Sequence, residues 1–357
     1  MSTYLITGGA GFIGSHLCEF LCKNGHRVIN IDNFSDLYDY RIKIQNIMYF
    51  FGADKEFNFC NKEEDLKKLP DIVNGPLYRL EVIDIRDSMS MERIFQEEKI
   101  DAVIHLAAMP GVRASIEQPL LFEDVNVRGT LHLLELMKKY GIKKWVCASS
   151  SSVYGNNRKV PFSESDSVGT PISLYAATKR NCELMGYTYY HLFNIDTVML
   201  RFFTVYGERQ RPDLAIHKFT RMIDEGIGIP FYGDGSTKRD YTYVGDIVDG
   251  IQKALRYVEQ NEEVYEIINL GGHHTVSLQC LVETLEEQLG KKAIINELPM
   301  QPGDMDQTCA DNRKAQDLIG FEPKTAFHEG IINFINWFRG ERYVGTISCR
   351  PCVQRER

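Results

Sequence analysis

The chain contains 357 residues, 43% of them hydrophobic, which is enough to bury the core of one large α/β unit or of two domains. Its formal net charge of −8 argues against extensive nucleic-acid binding, because neutralising many phosphates requires a surplus of Lys and Arg on one face. No apolar run reaches the roughly 18 residues of a membrane span. The nine cysteines are mostly isolated in the sequence, and the N-terminal residues do not resemble a signal peptide. We therefore expect a soluble, cytoplasmic protein that binds neither nucleic acid nor a membrane.

Strand and helix patterns alternate through the first half of the chain, which is typical of a parallel sheet covered on both faces. The predicted strands are Thr3–Thr7, Arg27–Asp32, Tyr78–Val82, Ala102–Leu106, Trp145–Ser149 and Thr197–Phe202. Two informative helices are predicted at Asn126–Tyr140 and Tyr175–Phe193. The sequence thus predicts an α/β fold, a doubly wound parallel sheet of the Rossmann type with a smaller C-terminal substrate lobe.

The regular alternation of strands and helices ends at about residue 203, where loops containing Pro and Gly interrupt the helical segments. We expect a dinucleotide-binding domain over 1–202 with a return segment at about 240–272, a substrate lobe mainly over 203–340, and a tail over 341–357. The tail contains Cys349 and Cys352, but two ligands do not make a tetrahedral metal site. No metal site is predicted.

Three glycines, Gly8, Gly11 and Gly14, follow the first strand and open a helix. This spacing gives a tight turn and lets a pyrophosphate approach the positive N-terminus of the helix. The second strand ends in Asp32, close to the expected distance of roughly 20 residues, where a carboxylate accepts hydrogen bonds from the adenosine ribose. Because its charge would oppose a 2′-phosphate and the next two residues include no arginine, the sequence predicts NAD as the cofactor.

Two further polar residues each have two interpretations. Asp84, which precedes Ile85 after the third strand, suits an adenine contact or could cap the next helix. Asn126 could support the active-site architecture through backbone or water contacts, or could be a helix cap.

Tyr175 and Lys179 lie one turn apart on the same face of a predicted helix. A nearby ammonium, together with an oxidised nicotinamide, would lower the pKa of the phenol from about 10 toward the range of a general base. Taken alone, the pair could also be a half-buried tyrosine beside a solvated lysine. Upstream, Ser150 is predicted to hold the reacting oxygen at the carboxyl end of a strand, whereas Ser149 could equally satisfy a polar turn.

These motifs, together with the segment from Arg239 to Tyr243, resemble those of the extended short-chain dehydrogenase/reductases, in the group of NAD-dependent epimerases and dehydratases that act on nucleotide sugars. The resemblance runs from Thr3 to about Phe338. Within this group, segments 33–39, 201–207, 211–213 and 301–304 are more similar to UDP-glucuronate 4-epimerases than to UDP-glucose epimerases. Thr204 is the most diagnostic position, because the hexose epimerases usually carry Asn there.

The resemblance implies NAD-dependent inversion at carbon 4 of UDP-glucuronate through a 4-keto intermediate, giving UDP-galacturonate. The implied catalytic residues are Ser150, Tyr175 and Lys179. The implied cofactor contacts are Gly8, Gly11, Phe12, Ile13, Gly14, Asp32, Asn33, Asp84, Ile85, Leu106, Ala107, Ala108, Asn126, Tyr175 and Lys179. The implied substrate contacts are Arg113, Ser151, Ser152, Thr204, Arg211, Arg239 and Asp304. For Arg211 and Arg239, a surface ion pair is the alternative.

Several alternatives remain open. A UDP-glucuronate decarboxylase shares every step up to the ketone, and an epimerase must keep the carboxylate out of the plane in which carbon dioxide is lost. Hydrogen bonds from Thr204 and from groups around Ser151 and Ser152 could do this. Epimerisation of UDP-glucose or UDP-N-acetylglucosamine is a further possibility. A 4,6-dehydratase is disfavoured because the serine run lacks an acidic pair, and a purely NAD-binding module has no need of a poised base. The family resemblance also implies a homodimer formed through the two predicted helices.

Overall fold

The computed structural model describes residues 1–51, 57–272, 274–300 and 307–343. For residues 341–343 it describes the backbone only. Its strands are β1 (Thr3–Thr7), β2 (Arg27–Asp32), β3 (Tyr78–Val82), β4 (Ala102–His105), β5 (Lys144–Ser150), β6 (Asp196–Phe202), β7 (Thr204–Tyr206), β8 (Ile229–Tyr232), β9 (Lys238–Tyr243), β10 (Tyr265–Leu270), β11 (Thr275–Ser277) and β12 (Ile295–Leu298). The segment 301–304, with Asp304, and the cysteines Cys349 and Cys352 lie outside the described residues.

The α-helices fall between these strands and after the last one. They are α1 (Phe12–Lys23), α2 (Tyr40–Phe50), α3 (Lys62–Val73), α4 (Ser88–Glu97), α5 (Val112–Glu117), α6 (Pro119–Glu123), α7 (Gly129–Tyr140), α8 (Leu174–Phe193), α9 (Ala215–Glu225), α10 (Val244–Gln260), α11 (Leu278–Leu289), α12 (Arg313–Ile319) and α13 (Phe327–Tyr343). Among the described residues, none of these helices is long and apolar enough to cross a membrane.

Seven parallel strands form the central sheet in the order β10-β6-β5-β4-β1-β2-β3. The chain moves outward from β1 to β3 and then returns to β4 on the other side of β1, so the order reverses between β1 and β4. A crevice forms at such a switch point, outside the carboxyl ends of the strands. The predicted Rossmann-type α/β fold is confirmed.

Both faces of the sheet are buried, as expected for parallel strands covered by helices. Successive side chains point to opposite faces, and Leu5 and Ile6 accordingly enter two different apolar clusters. One cluster contains Ile6 of β1 and Ile251 of α10, and the other contains Leu5 of β1 and Trp145 of β5. This packing fixes the positions of the strand ends that border the crevice.

The predicted element boundaries differ from the structure by one residue at several ends, and by more at one helix. The helix predicted over Asn126–Tyr140 is divided: a wide, π-helical turn covers Asp124–Arg128, and regular α-helix begins at Gly129. Such wide turns occur where a side chain must be presented at an unusual angle, often at functional sites.

A second, smaller group of elements follows β6. It contains the three-stranded sheet β11-β9-β7 and the two-stranded sheet β12-β8, with α9, α11 and α13 packed around a core that includes Tyr206, Phe219, Leu285 and Phe334. Between these elements the chain returns to the central sheet through α10 and β10. The beginning of β7 therefore lies next to the end of β6, at the edge of the crevice.

Candidate active site

A cavity of about 710 Å³ lies at the carboxyl ends of the central strands. Many residues that the sequence predicts for the site line it. They are Gly8, Gly11, Phe12, Ile13, Gly14, Asp32, Asn33, Ile85, Leu106, Ala107, Ala108, Ser150, Tyr175, Lys179, Thr204 and Arg211. Six others in the described chain do not line it, namely Asp84, Arg113, Asn126, Ser151, Ser152 and Arg239. The cavity also contains Lys43 and Arg86, two cations that the sequence analysis missed.

The glycine turn after β1 is closely packed. Gly8 has φ +76°, and a Cβ atom added there would lie 2.8 Å from the backbone nitrogen of Ala107. A Cβ atom at Gly14 would lie 2.2 Å from the carbonyl oxygen of Gly8. Gly11 precedes the first turn of α1 and offers no side-chain cap. Backbone N–H groups at this helix N-terminus are therefore available to a phosphate, and the residues present fit a dinucleotide pyrophosphate.

The Asp32 carboxylate ends β2 at the wall of the cavity and is almost fully buried. Its Oδ1 atom accepts hydrogen bonds from the backbone nitrogen of Phe34 and from Nζ of Lys43, each at 2.8 Å. Its Oδ2 atom accepts a longer bond, of 3.2 Å, from the backbone nitrogen of Ala10. The charge of Asp32 is thus compensated by a lysine from α2, which the sequence does not reveal because the two residues belong to different elements.

The Asp84 side chain is turned to its own neighbours. Arg86 donates to both carboxylate oxygens, at 2.9 and 2.7 Å, and Asn33 donates at 2.8 Å. These hydrogen bonds, that from Arg86 foremost, lower the pKa of Asp84 to about 2. The next helix, α4, is capped by Asp87, so the capping interpretation of Asp84 is wrong. The carboxylate instead fixes Arg86 at the cavity wall.

Helix α8 carries Tyr175 and Lys179. The helix starts just before Tyr175 because the Ser173 hydroxyl accepts a hydrogen bond from the backbone nitrogen of Ala176, at 3.1 Å. The ammonium of Lys179 is buried and donates to the carbonyl oxygen of Ala148, at 2.9 Å. A positive charge is thereby held one helical turn from the Tyr175 phenol, inside the same cavity.

Two serines at the end of β5 have different partners. The Ser150 hydroxyl accepts from the backbone nitrogen of Ser152 at 3.2 Å and donates to the Ser152 hydroxyl at 3.1 Å. The Ser149 hydroxyl donates to Oε1 of Glu183 at 2.7 Å. Both serines line the cavity, but the Ser149 hydroxyl is engaged by a structural partner on α8, whereas that of Ser150, among the described residues, contacts only the next turn of the chain.

Glu183 organises a buried network beneath this site. Its carboxylate accepts two hydrogen bonds from Arg201, at 2.8 and 2.9 Å, in addition to that from Ser149. Arg201 also donates to the Tyr154 hydroxyl at 3.0 Å. Burial raises the pKa of Glu183, but the hydrogen bonds and charge of Arg201 outweigh burial and leave it lowered. The network joins α8 to β5 and β6, and thus fixes the helix that carries Tyr175.

Asn126 lies in the wide turn before α7 and holds two elements together. Its side-chain oxygen accepts from the backbone nitrogen of Met109 at 2.7 Å, and its amide donates to the carbonyl oxygen of Met109 and to the Thr178 hydroxyl, each at 3.0 Å. The capping interpretation of Asn126 is therefore wrong. Its contacts join the strand-end loop after β4 to the helix of Tyr175.

His105 forms a second buried connection. Its Nδ1 atom lies 2.7 Å from the Thr7 hydroxyl and its Nε2 atom 2.9 Å from the Thr130 hydroxyl. Thr130 donates its own proton to the carbonyl oxygen of Asn126, so His105 must donate from Nε2. Burial, assisted by the charge of Lys179, lowers the pKa of His105 to about 3. The imidazole is neutral at physiological pH.

Thr204 and Arg211 line the same cavity as Tyr175. Thr204 begins β7 and pairs with Tyr241 of β9. Arg211 is mostly buried and donates to both oxygens of Asp213, at 3.0 and 2.8 Å. Burial lowers the pKa of the Arg211 guanidinium. The hydrogen bonds and charge of Asp213, together with the nearby phenols of Tyr38 and Tyr175, outweigh burial, so the pKa is raised overall. Arg211 is thus a fixed cation close to the predicted base.

Two predicted substrate arginines have contacts elsewhere. The Arg113 guanidinium lies 5.5 Å from the centre of the Tyr232 ring. Arg239 donates to the carbonyl oxygen of Lys238 at 3.0 Å. Within the described chain, no group of three or more His, Cys, Asp or Glu side chains could hold a metal ion.

A family model described as GDP-mannose 4,6 dehydratase matches residues 5–334. The chain belongs to this family. The resemblance to extended short-chain dehydrogenase/reductases is thereby confirmed, over nearly the range expected from the motifs. The cavity of this family member thus combines a glycine turn, an acidic strand end, the Ser150–Tyr175–Lys179 set and a buried cation.

Curated relatives of this member of the GDP-mannose 4,6 dehydratase family include UDP-glucuronate 4-epimerases. The chain is 42% identical to the UDP-glucuronate 4-epimerase of Thermodesulfobacterium geofontis over 338 residues, which cover 94% of this chain and 96% of the relative. It is 36% identical to UDP-glucuronate 4-epimerase 4 of Arabidopsis thaliana over 350 residues, which cover 94% of this chain and 75% of the relative.

Solved structures of similar proteins include one from Bacillus cereus, a UDP-glucuronic acid 4-epimerase in complex with UDP-glucuronic acid and NAD. It superposes with a TM-score of 0.83 at 33% identity, over 95% of this chain and 99% of that chain. The UDP-glucose 4-epimerase of Thermotoga maritima, solved with UDP-glucose, gives a TM-score of 0.80 at 30% identity, over 95% of this chain and 99% of that chain. The fold similarity alone therefore does not separate charged from neutral sugars.

Proposed function

We propose that the protein is an NAD-dependent UDP-sugar 4-epimerase that converts UDP-glucuronate to UDP-galacturonate. The observation that carries this proposal is that one cavity is lined both by Ser150, Tyr175 and Lys179 and by Thr204 and Arg211. The curated relatives named above, two UDP-glucuronate 4-epimerases aligned along nearly the whole of this chain, support the uronate as substrate.

The cofactor residues fit NAD. The glycine turn at the start of α1 would hold the pyrophosphate, and Asp32 would accept hydrogen bonds from the adenosine ribose. Ile85, Leu106 and the two alanines after it would provide apolar contacts along the cavity wall. When bound, NAD supplies reversible hydride transfer at carbon 4 of the sugar.

Tyr175 would exchange the proton on the 4-hydroxyl oxygen. Lys179 would stabilise the phenolate through its charge, since its ammonium is fixed by the carbonyl oxygen of Ala148. Ser150 would donate a hydrogen bond to the same sugar oxygen. It would do so by rotating its hydroxyl proton away from Ser152, which lies 3.1 Å from it.

Inversion requires the 4-keto sugar to present its opposite face before reduction, while the nucleotide stays bound. The 4-keto intermediate is a β-keto acid, because its carboxylate is attached to carbon 5. It loses carbon dioxide when the bond from carbon 5 to the carboxylate aligns with the π-system of the ketone. Thr204 and Arg211 would hold the carboxylate away from this alignment, because a guanidinium that is already oriented by Asp213 offers a directed charge. The further substrate contacts or supporting residues that we propose are Asp84, Arg113, Asn126, Ser151, Ser152, Arg239 and Asp304.

The decisive experiment is incubation with a panel of UDP-sugars, with products followed by proton NMR. The proposal expects UDP-galacturonate from UDP-glucuronate, with little UDP-pentose. Dominant UDP-xylose would favour the decarboxylase instead. Higher catalytic efficiency on UDP-glucose or UDP-N-acetylglucosamine would contradict the uronate assignment, an outcome made specific by the structural similarity to a UDP-glucose 4-epimerase.

A homodimer is proposed as the assembly. Helices α7 and α8 pack side by side and expose apolar side chains, including Leu131, Leu184 and Leu192. Pairing these helices with those of a second copy would bury that surface. Sedimentation at micromolar concentration should give the mass of two chains, and a monomer would contradict this. A cytoplasmic location is also proposed, supported by free thiols at all seven cysteines of the described chain.

A further inference from the structure

The segment that delivers Arg211 to the cavity has an unusual backbone. It connects β7 to α9 and contains two residues with positive φ, Gly207 at +137° and Arg209 at +60°. Glycine adopts such angles readily, but an arginine does so only where surrounding contacts hold it. The contacts of Arg209 therefore determine the conformation of the segment.

Arg209 is buried, with 3% of its surface exposed, and points away from the cavity toward the dinucleotide-binding half. Its Nη2 atom donates to the Glu19 carboxylate on α1. Its guanidinium lies over the ring of Tyr49 on α2, 4.8 Å from the ring centre. The Nε and Nη1 atoms have no hydrogen-bond partner among the described residues. Glu19 is thus the charged group that compensates this buried cation.

Neighbouring residues of the segment are fixed from both sides. From α1, His16 contacts the carbonyl oxygen of Glu208 through Nε2, at 2.9 Å. From α9, His217 contacts the carbonyl oxygen of Gln210 through Nδ1, at 2.6 Å. Because a carbonyl oxygen only accepts, both imidazoles donate these bonds. Helices α1 and α9 thus hold the residues directly before Arg211 from two sides, through hydrogen bonds to Glu208 and Gln210.

We propose that Arg209 is a positioning residue that ties Arg211 to helix α1 through Glu19. The same helix starts at the glycine turn, so one rigid element would fix both the cofactor pyrophosphate and the cation for the sugar carboxylate. This inference rests on the proposed function, because it assigns Arg211 to the carboxylate of UDP-glucuronate. Its consequence is that loss of the Arg209–Glu19 pair affects the charged sugar and spares the uridine diphosphate part.

The test uses Arg209→Asn, because asparagine tolerates positive φ and removes the ion pair without imposing a new backbone strain. Glu19→Gln is the second variant, which removes the charge from the other side. Lys23→Ala is the matched control, since the exposed Lys23 also pairs with Glu19, at 2.6 Å, but does not contact the segment. Calorimetric titration of the purified holoprotein measures the affinities for UDP-glucuronate and for UDP, and NMR measures the share of UDP-pentose formed.

Both Arg209→Asn and Glu19→Gln should bind UDP-glucuronate about tenfold more weakly, bind UDP within twofold of the wild type, and form a larger share of UDP-pentose. Lys23→Ala should match the wild type in all three. Unchanged binding and products in both variants would overturn the coupling. An equal loss for UDP and UDP-glucuronate with a lower melting temperature would also overturn it, since this indicates general destabilisation. A wild type that prefers UDP-glucose would overturn the proposed function and this inference together, whereas the first two outcomes leave the proposed function intact.

Discussion

The Nζ atom of Lys43 lies 2.8 Å from Oδ1 of Asp32, and both side chains border the cavity. The sequence suggests that Asp32 selects NAD by repelling a 2′-phosphate, but a buried lysine beside it reduces that repulsion. The preference for NAD over NADP then depends more on two other roles of Asp32. Its carboxylate accepts hydrogen bonds from the ribose, and it pairs with the ammonium of Lys43. A 2′-phosphate would compete with the carboxylate for the same ammonium.

Replacing Asp32 with Ala should therefore shift the preference from NAD toward NADP by tenfold or more, because Lys43 becomes available to a phosphate. The measurement is the ratio of the two dinucleotides released by heat from protein equilibrated with both. Adding Lys43→Ala to Asp32→Ala is the control and should remove the gain in NADP. An unchanged NAD preference in Asp32→Ala would show that Asp32 is not the selector.

Tyr175→Phe should lower turnover of UDP-glucuronate by roughly 10²-fold or more, because no group remains to exchange the proton on the 4-oxygen. Binding of UDP-glucuronate, measured by calorimetry, should change little. Tyr190→Phe is a matched control on the same helix, since its hydroxyl contacts the carbonyl oxygen of Glu263 at the surface. Near-normal turnover in Tyr175→Phe would remove this residue from the mechanism.

Local patterns in the sequence were sufficient to predict the central sheet and the motif residues. Strands such as β1 and β2 are short, mostly apolar segments followed by turn residues, and Tyr175 and Lys179 are joined by helical spacing alone. The missed residues act through partners distant in the chain. Arg201 lies in a fully buried strand and pairs with a glutamate from another element, so only the packed structure reveals their network.

Acidification should destabilise the protein as pH falls from about 6.5 toward 4. Burial lowers the pKa of His16 and His217 to about 4 and of His105 to about 3. In the unfolded chain these groups have pKa values near 6.5, so between pH 6.5 and 4 the unfolded state binds more protons than the folded state. The free energy of unfolding therefore decreases as the pH is lowered through this range. Well above pH 6.5 all three are neutral in both states, and their contribution is constant.

Urea denaturation at several pH values checks this expectation. His105→Gln should reduce the slope of unfolding free energy against pH in this window by up to about 1.4 kcal/mol per pH unit, because one titrating group is lost. His191→Gln, at an exposed position of α8, is the control and should leave the slope unchanged. Equal slopes in wild type and His105→Gln would show that His105 is not buried in its neutral form.

Thr204→Asn addresses the choice of sugar. If Thr204 hydrogen-bonds the carboxylate, the wild type should favour UDP-glucuronate over UDP-glucose at least tenfold, because each contact to a charged group contributes about 1.5–3 kcal/mol and a neutral hydroxymethyl group leaves some partners unpaired. The larger asparagine would displace the carboxylate, so uronate turnover should fall or loss of carbon dioxide should rise. Thr275→Asn, on a strand of the same small sheet but outside the cavity lining, is the control. Product ratios by proton NMR decide the matter: a Thr204→Asn variant identical to the wild type in both turnover and UDP-pentose would reduce Thr204 to a packing residue and leave Arg211 as the main candidate for the carboxylate.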